Sequence, residues 1–192
     1  MTGSCLSSLR PTRRATALAC VLWLSSIAGC ESSKPVPAPP PVTIDFERDG
    51  EESSGAAVYL KGRLEDDRVI VDVLAREVSD VHGLAFRLRW DPSKLALVEA
   101  RASEAWSRQA LLLAKEGLPG ELAVAWTEKG AGAGIDARED TRLGRITFTL
   151  RTNEEADLAF RPDRSMLVDS KGTTIPVAWR GGRVAARMDT GR

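Results

Sequence analysis

From residue 56 onward apolar residues recur mostly at every second position, and clusters of Gly, Pro and Asp interrupt them every dozen residues or so. A two-residue period sends alternate side chains to opposite faces of an extended strand, so the pattern predicts an all-β domain whose strands each bury one face. The clearest stretch has Leu84, Phe86, Leu88 and Trp90 alternating with Ala85, Arg87 and Arg89. Before it, residues 58–60 open a first strand, and Val69, Val71 and Val73 share one face of a second, with Asp72 opposite. After it, Asp91-Pro92-Ser93 predicts a turn, because proline fixes φ and the Asp carboxylate accepts bonds from the backbone ahead of it. Residues 95–100 resume a strand. Leu122, Val124 and Trp126 alternate with Ala123, Ala125 and Thr127 after a Gly117-Leu118-Pro119-Gly120 turn. Ile146, Phe148 and Leu150 form the next strand, and residues 158–160, 166–168, 175–179 and 184–186 form short closing ones.

One segment resists the pattern. In residues 103–114 the residues Ala105, Trp106, Gln109, Leu112 and Leu113 also fit a helical face, which leaves a loop or short helix leading into a strand. A domain of this length buries about two thirds of its unfolded surface, enough for a core without disulfides.

The region ahead of the domain reads differently. Arg10, Arg13 and Arg14 precede an apolar run, residues 15–28, which is short for a bilayer span and has the layout of a secretory signal. The run ends in Ile27-Ala28-Gly29-Cys30, which resembles the bacterial lipobox. That resemblance implies cleavage before Cys30, lipidation of its thiol and membrane attachment through two or more acyl chains. Glu31 in the next position favours the outer membrane by resemblance to the sorting rule of enteric bacteria. Residues 1–29 are thus the expected signal. Residues 30–55 are the expected disordered linker, with a proline-rich first half that favours an extended polyproline conformation. The domain follows over 56–187, and 188–192 form a tail. Asp45-Phe46-Glu47-Arg48-Asp49-Gly50 imitates the start of an EF-hand loop, but its twelfth position is Ala56 and no helices flank it, so a solvated linker is expected there.

Charge and composition narrow the chemistry. The chain holds 27 Lys and Arg against 27 Asp and Glu. The signal carries three of the cations and no acids, so the remainder has a net charge of −3 (24 minus 27). No basic field for nucleic acid follows from that balance. All three cysteines, Cys5, Cys20 and Cys30, lie before the domain, which leaves it without a disulfide, a thiol nucleophile or a Cys/His metal cluster. The single histidine, His82, sits in a turn without a recognisable nucleophile, so no catalytic residue, cofactor or metal site is expected. Trp90, Trp126 and Trp179 share the phase of Leu88, Val124 and Val177 and belong in the core. Trp106 is the aromatic candidate for an exposed ligand contact. Glu154, Glu155 and Asp157 read as a solvated acidic loop.

The stretch from His82 through Gly83, the alternating strand and Trp90-Asp91-Pro92 to Leu95 resembles the cohesin family. Val69 to Val73, Gly120 to Trp126, Gly130-Ala131-Gly132, Leu143 to Phe148 and Gly182-Arg183-Val184 have counterparts in the same order, so the resemblance spans about residues 56–187. It implies a nine-stranded jelly-roll β-sandwich, related to carbohydrate-binding modules, that is non-catalytic and docks dockerin modules of other proteins. In the best-known cohesins an Asn and an Asp occupy the places of Gly83 and Ala85, and both are lost here. Arg87, Arg89 and Thr127 share the exposed face of that sheet and are the candidate partner contacts. The expected partner is a protein, dockerin-like or diverged, with a carbohydrate as the alternative.

Overall fold

A computed structural model describes residues 42–50, 55–130 and 132–188. Fourteen strands run through them in chain order: β1 (Val42–Arg48), β2 (Ala57–Glu65), β3 (Arg68–Arg76), β4 (Val78–Val81), β5 (Gly83–Arg89), β6 (Leu95–Ala102), β7 (Leu111–Leu118), β8 (Glu121–Thr127), β9 (Ile135–Ala137), β10 (Thr141–Leu150), β11 (Ala156–Phe160), β12 (Met166–Val168), β13 (Ala178–Arg180) and β14 (Gly182–Met188). A seven-stranded sheet has the order β1-β14-β11-β5-β8-β7, with β12 also paired to β5. A five-stranded sheet has the order β13-β2-β3-β10-β6, and β4 pairs β9 in a small third sheet. This is the expected all-β sandwich. The count exceeds nine because the chain ahead of residue 56 adds β1 and because β4, β9, β12 and β13 are pieces of three or four residues.

The predicted phase holds along β5 and β8. Leu84, Phe86, Leu88, Leu122, Val124 and Trp126 are buried, and they meet Val58, Leu60, Val71, Val73, Ile146 and Phe148 of the other sheet. Edge-to-face ring contacts continue the packing, with Trp126 6.1 Å from Phe86, Phe86 5.2 Å from Phe160, and Phe160 5.2 Å from Trp179. A Cβ on Gly144 of β10 would lie 2.1 Å from the Trp126 ring, so only glycine leaves room for that indole. Trp90 packs on Phe148 at 5.1 Å and donates its indole N–H to the Leu95 carbonyl at 3.0 Å, which satisfies its one polar atom. The turn after it forms as expected, the Asp91 carboxylate accepting from Ser93 N at 2.8 Å and Ser93 Oγ at 2.6 Å.

Two expectations need correction, and one open alternative is decided. Residues 42–48 belong to the sandwich and not to the linker. They form β1, antiparallel to β14 from Val42↔Met188 to Arg48↔Gly182, and Phe46 lies over Gly62 and Gly182, where a Cβ would come within 2.3 Å and 2.5 Å of its ring. The imitation of a calcium loop therefore begins inside a strand. The closing strand expected over 175–179 shrinks to β13, which pairs in parallel with β2 through Trp179↔Val58. The ambiguous residues 103–114 resolve into a turn-rich loop followed by β7, an edge strand exposed along nearly its whole length.

The small β4–β9 sheet is held by Asp80, whose φ of +57° is a left-handed conformation that Asp tolerates. Its carboxylate accepts from Ser170 Oγ at 2.6 Å, Gly134 N at 2.8 Å and Ser170 N at 3.3 Å. It thereby ties β4 to two loops, at Gly134 and Ser170, beside the Gly83 end of β5. These donors, the Ser170 hydroxyl foremost, hold the Asp80 carboxyl below the ordinary carboxylate range.

Two predictions follow from this packing. Replacing Trp90 or Trp126 with Ala removes a ring from between the sheets, and each variant loses about 3 to 5 kcal/mol in denaturant unfolding; a midpoint equal to the parent's would place these rings at the surface. An acid whose folded pKa is depressed stabilises the fold above its unfolded pKa and loses that contribution as pH falls through the folded one. Asp80→Asn keeps the shape but not the charge, so its melting temperature lies below the parent's at pH 7. The difference closes as pH drops below about 4, the unfolded carboxylate value; a constant gap across that range would show that the charge is not what matters.

A candidate docking face on β5, β8 and β7

The residues that alternate with the core on β5 and β8 define the outer face of the seven-stranded sheet. Register sets them in rows. Leu111, Thr127 and Gly83 lie side by side across β7, β8 and β5, and the next row on this face is Leu113, Ala125 and Ala85, continued by Met166 on β12. The row below is Lys115, Ala123 and Arg87, followed by Glu121 paired with Arg89. Leu111, Leu113 and Met166 are 55%, 60% and 47% exposed, and the residues between them are small.

The lower end of this face is charged. Arg87, Arg161 and Arg89 reach the Glu121 carboxylate at 3.3, 3.8 and 3.9 Å. Arg87 extends toward β7, since a Cβ on Gly117 would lie 3.8 Å from its Nη1. Lys115 makes no ion pair among the described residues. The outer face of the five-stranded sheet is unlike this one. There Asp72 receives Arg145 at 2.7 Å and Arg63 at 3.5 Å, Arg63 also meets Glu65 at 2.8 Å, and Arg101 meets Glu99 at 2.7 Å. Such paired, solvated charges suit a face that stays in water.

The structure brings Arg87, Arg89 and Thr127 to one face, as expected. Thr127 is half-buried, and its hydroxyl donates to the His82 carbonyl at 3.2 Å, so it closes the upper end of the sheet and does not present a free polar group. Trp106 is a correction. It is 5% exposed, its indole N–H donates to the Leu143 carbonyl at 2.8 Å, and its ring lies 6.4 Å from Trp126, so it extends the core and is not a surface contact. His82 lies between β4 and β5, not in the expected turn, and its backbone donates to Val168 O at 2.8 Å and accepts from Glu128 N at 2.9 Å. In the acidic loop, Glu154 pairs with Lys94 at 3.4 Å. Among the described residues no group of three or more His, Cys, Asp and Glu is placed to hold a metal ion. Cys30 and the preceding Ile27, Ala28 and Gly29 lie outside the described residues.

Sequence reasoning missed Leu111, Leu113, Lys115, Ala125, Met166 and Arg161 as members of the face. The signal for part of it is present in Leu111-Leu112-Leu113, because three consecutive apolar residues in a strand place at least one on each face.

No protein-family model matches the chain, and no curated protein matches it. Solved structures do. The sixth cohesin of scaffoldin B from Acetivibrio cellulolyticus, solved in complex with a mutant Cel5 dockerin, superposes with a TM-score of 0.60 at 16% identity, over 69% of this chain and 99% of that one. The protein CaCohA2 from Clostridium acetobutylicum gives a TM-score of 0.55 at 18% identity, over 70% and 93%. A non-cellulosomal cohesin from the archaeon Archaeoglobus fulgidus gives 0.54 at 14% identity, over 67% and 89%. At these identities the likeness is one of backbone architecture, and the described domain carries a cohesin-like fold.

Proposed function

We propose that this chain is a non-catalytic lipoprotein, anchored in the outer membrane through Cys30, that presents a cohesin-like module for docking a protein partner across the outer face of β5, β8 and β7. The observation that carries the docking reading is the exposed aliphatic surface of Leu111, Leu113 and Met166, joined across the sheet by Ala125 and Ala85, on a sheet whose counterpart carries ion pairs. Contiguous exposed apolar residues on a soluble domain mark interaction sites. The cohesin-like architecture supports the same reading, since two of the similar structures were solved as complexes with dockerins. The carbohydrate alternative draws no support from this face, because its large exposed side chains are aliphatic, whereas Trp90, Trp106 and Trp126 are buried. The partner's contacts differ from those of the best-known dockerins, because Gly83 and Ala85 offer no side-chain acceptor where an Asn and an Asp stand in those cohesins. A donor buried against this face without an acceptor loses about 1 to 3 kcal/mol.

The anchor is tested by metabolic labelling: radiolabelled palmitate enters the parent chain, and Cys30→Ser abolishes both the label and sedimentation with membranes. Continued labelling of that variant would remove Cys30 as the attachment point. For docking, the full chain is expressed in its source organism with p-benzoylphenylalanine in place of Leu113, and cells are irradiated. A discrete protein adduct forms through position 113, while the same photoreactive residue at position 101, on the opposite face, gives none. Failure to form a protein adduct at 113 would sink the docking reading.

A further inference from the structure

We infer that β7 is a self-association edge: two copies of this chain pair β7 with β7, antiparallel about a two-fold axis at Leu113, and join their seven-stranded sheets into one. This pairing lies at the rim of the sheet and leaves the outer face of β5, β8 and β7 open, so it does not rest on the docking reading above.

Exposure on both sides of the strand carries the argument. Leu111 and Leu113 share the outward phase of Thr127 and Ala125, whereas Leu112 shares the inward phase of Trp126. Trp126 is buried, yet Leu112 beside it is 51% exposed, so β7 overhangs the sandwich and its inner side is uncovered. A partner lying on the outer face does not reach Leu112. A strand laid along the rim covers Leu111, Leu112 and Leu113 together, and it meets the backbone N–H and C=O groups that β7, paired only with β8, turns outward. The other outer strands of the two large sheets are guarded against such pairing: β1 carries Asp45 and Glu47, β6 carries Glu99 and Arg101, and β13 is three residues long. β7 runs from Leu111 to Ala114 without a charge.

Self-complementarity names the occupant. A two-fold axis perpendicular to the sheet pairs identical strands antiparallel and keeps outward residues outward. With the axis at Leu113, that residue faces its own copy, Leu112 faces Ala114, and Leu111 faces Lys115, whose aliphatic stem packs along it. The two Lys115 residues then stand four positions apart along the strands, about 14 Å, beyond the screening length of about 8 Å at physiological salt. An axis at Lys115 sets like charges directly opposite, and one at Ala114 sets Leu112 against Glu116. An axis at Leu112 pairs only residues 111–113 before the strand ends. The Leu113 register pairs residues 111–115 of each copy and stops short of the irregularity between Glu116 and Leu118.

Disulfide trapping tests both the pairing and its register. The full chain carrying Leu113→Cys is expressed in its source organism, and the cells are treated with a copper–phenanthroline oxidant. Directly opposed residues of an antiparallel ladder have Cα atoms about 4.5 to 5.5 Å apart, within disulfide reach, so a reducible species of twice the chain's mass is expected. Leu111→Cys, Leu112→Cys and Lys115→Cys each give less of it alone, but chains carrying Leu111→Cys and chains carrying Lys115→Cys, co-expressed, join to each other. The parent and Val98→Cys, exposed on β6, give little. Adding Leu112→Lys, which charges the inner side of the edge, lowers the fraction linked through position 113 about fivefold or more, whereas adding Val98→Lys leaves it within about twofold. Equal linking through positions 98 and 113, stronger self-linking at 111, 112 or 115 than at 113, a yield indifferent to Leu112→Lys, or a disulfide to another protein in place of the doubled species would overturn the inference. Photo-adducts with another protein through position 113 in the absence of self-linking would keep the docking reading and remove this one; self-linking without such adducts would do the reverse.

Discussion

The seating of Trp126 between the two sheets governs which residues this protein shows to its surroundings. Its indole occupies space left by Gly144, touches Phe86 edge to face, and carries Trp106 on its other side. With that ring fixed inward, Leu122 and Val124 must also point inward, and Ala123, Ala125 and Thr127 must point out. A slip of one residue in the β5–β8 register would drive Arg87 and Arg89 into the core, so the outer face is specified by the packing behind it. Its composition is free of that constraint, because outward residues of a sheet contribute little to the core. A fold can therefore be kept while the chemistry of the surface it presents is replaced.

The contrast between the two outer faces is the physical basis for choosing one. Asp72 with Arg145, Arg101 with Glu99 and Arg142 with Glu104 are pairs that water screens and that add little to stability. The β7 side lacks that cover, and its exposed leucines lie on an edge strand, where natural proteins usually place charge.

Much of the architecture was legible wherever one strand face is buried and the other wet. The alternation from Leu84 to Trp90 announced its own phase, and Asp91-Pro92-Ser93 announced its turn. Arg87 and Arg89 were legible as outward residues for the same reason. The reading broke down where the deciding partner is remote. β1 pairs with β14, and the Arg183 to Glu47 contact that joins them spans 136 residues, so the alternation of Val42, Ile44 and Phe46 was masked by proline on one side and acidic residues on the other. Trp106 was misplaced because a loop has no period from which to infer direction, and only the Leu143 carbonyl reveals where its N–H goes. Met166 and Arg161 joined the face through pairing and proximity across the sheet, which no local pattern encodes.

The incorporation of β1 changes the mechanics of the molecule. Val42 lies at the end of β1 that points away from β5, since Arg48 aligns with Gly182 and Leu158, whose neighbour Ala159 aligns with Arg89. For a chain held at its N-terminal side, a pull on the outer face of β5, β8 and β7 would run along the axis of β1 and load the seven β1–β14 residue pairs together in shear, not one after another as in unzipping. The first strand, which composition alone assigns to the linker, would thus take such a load across its whole length at once.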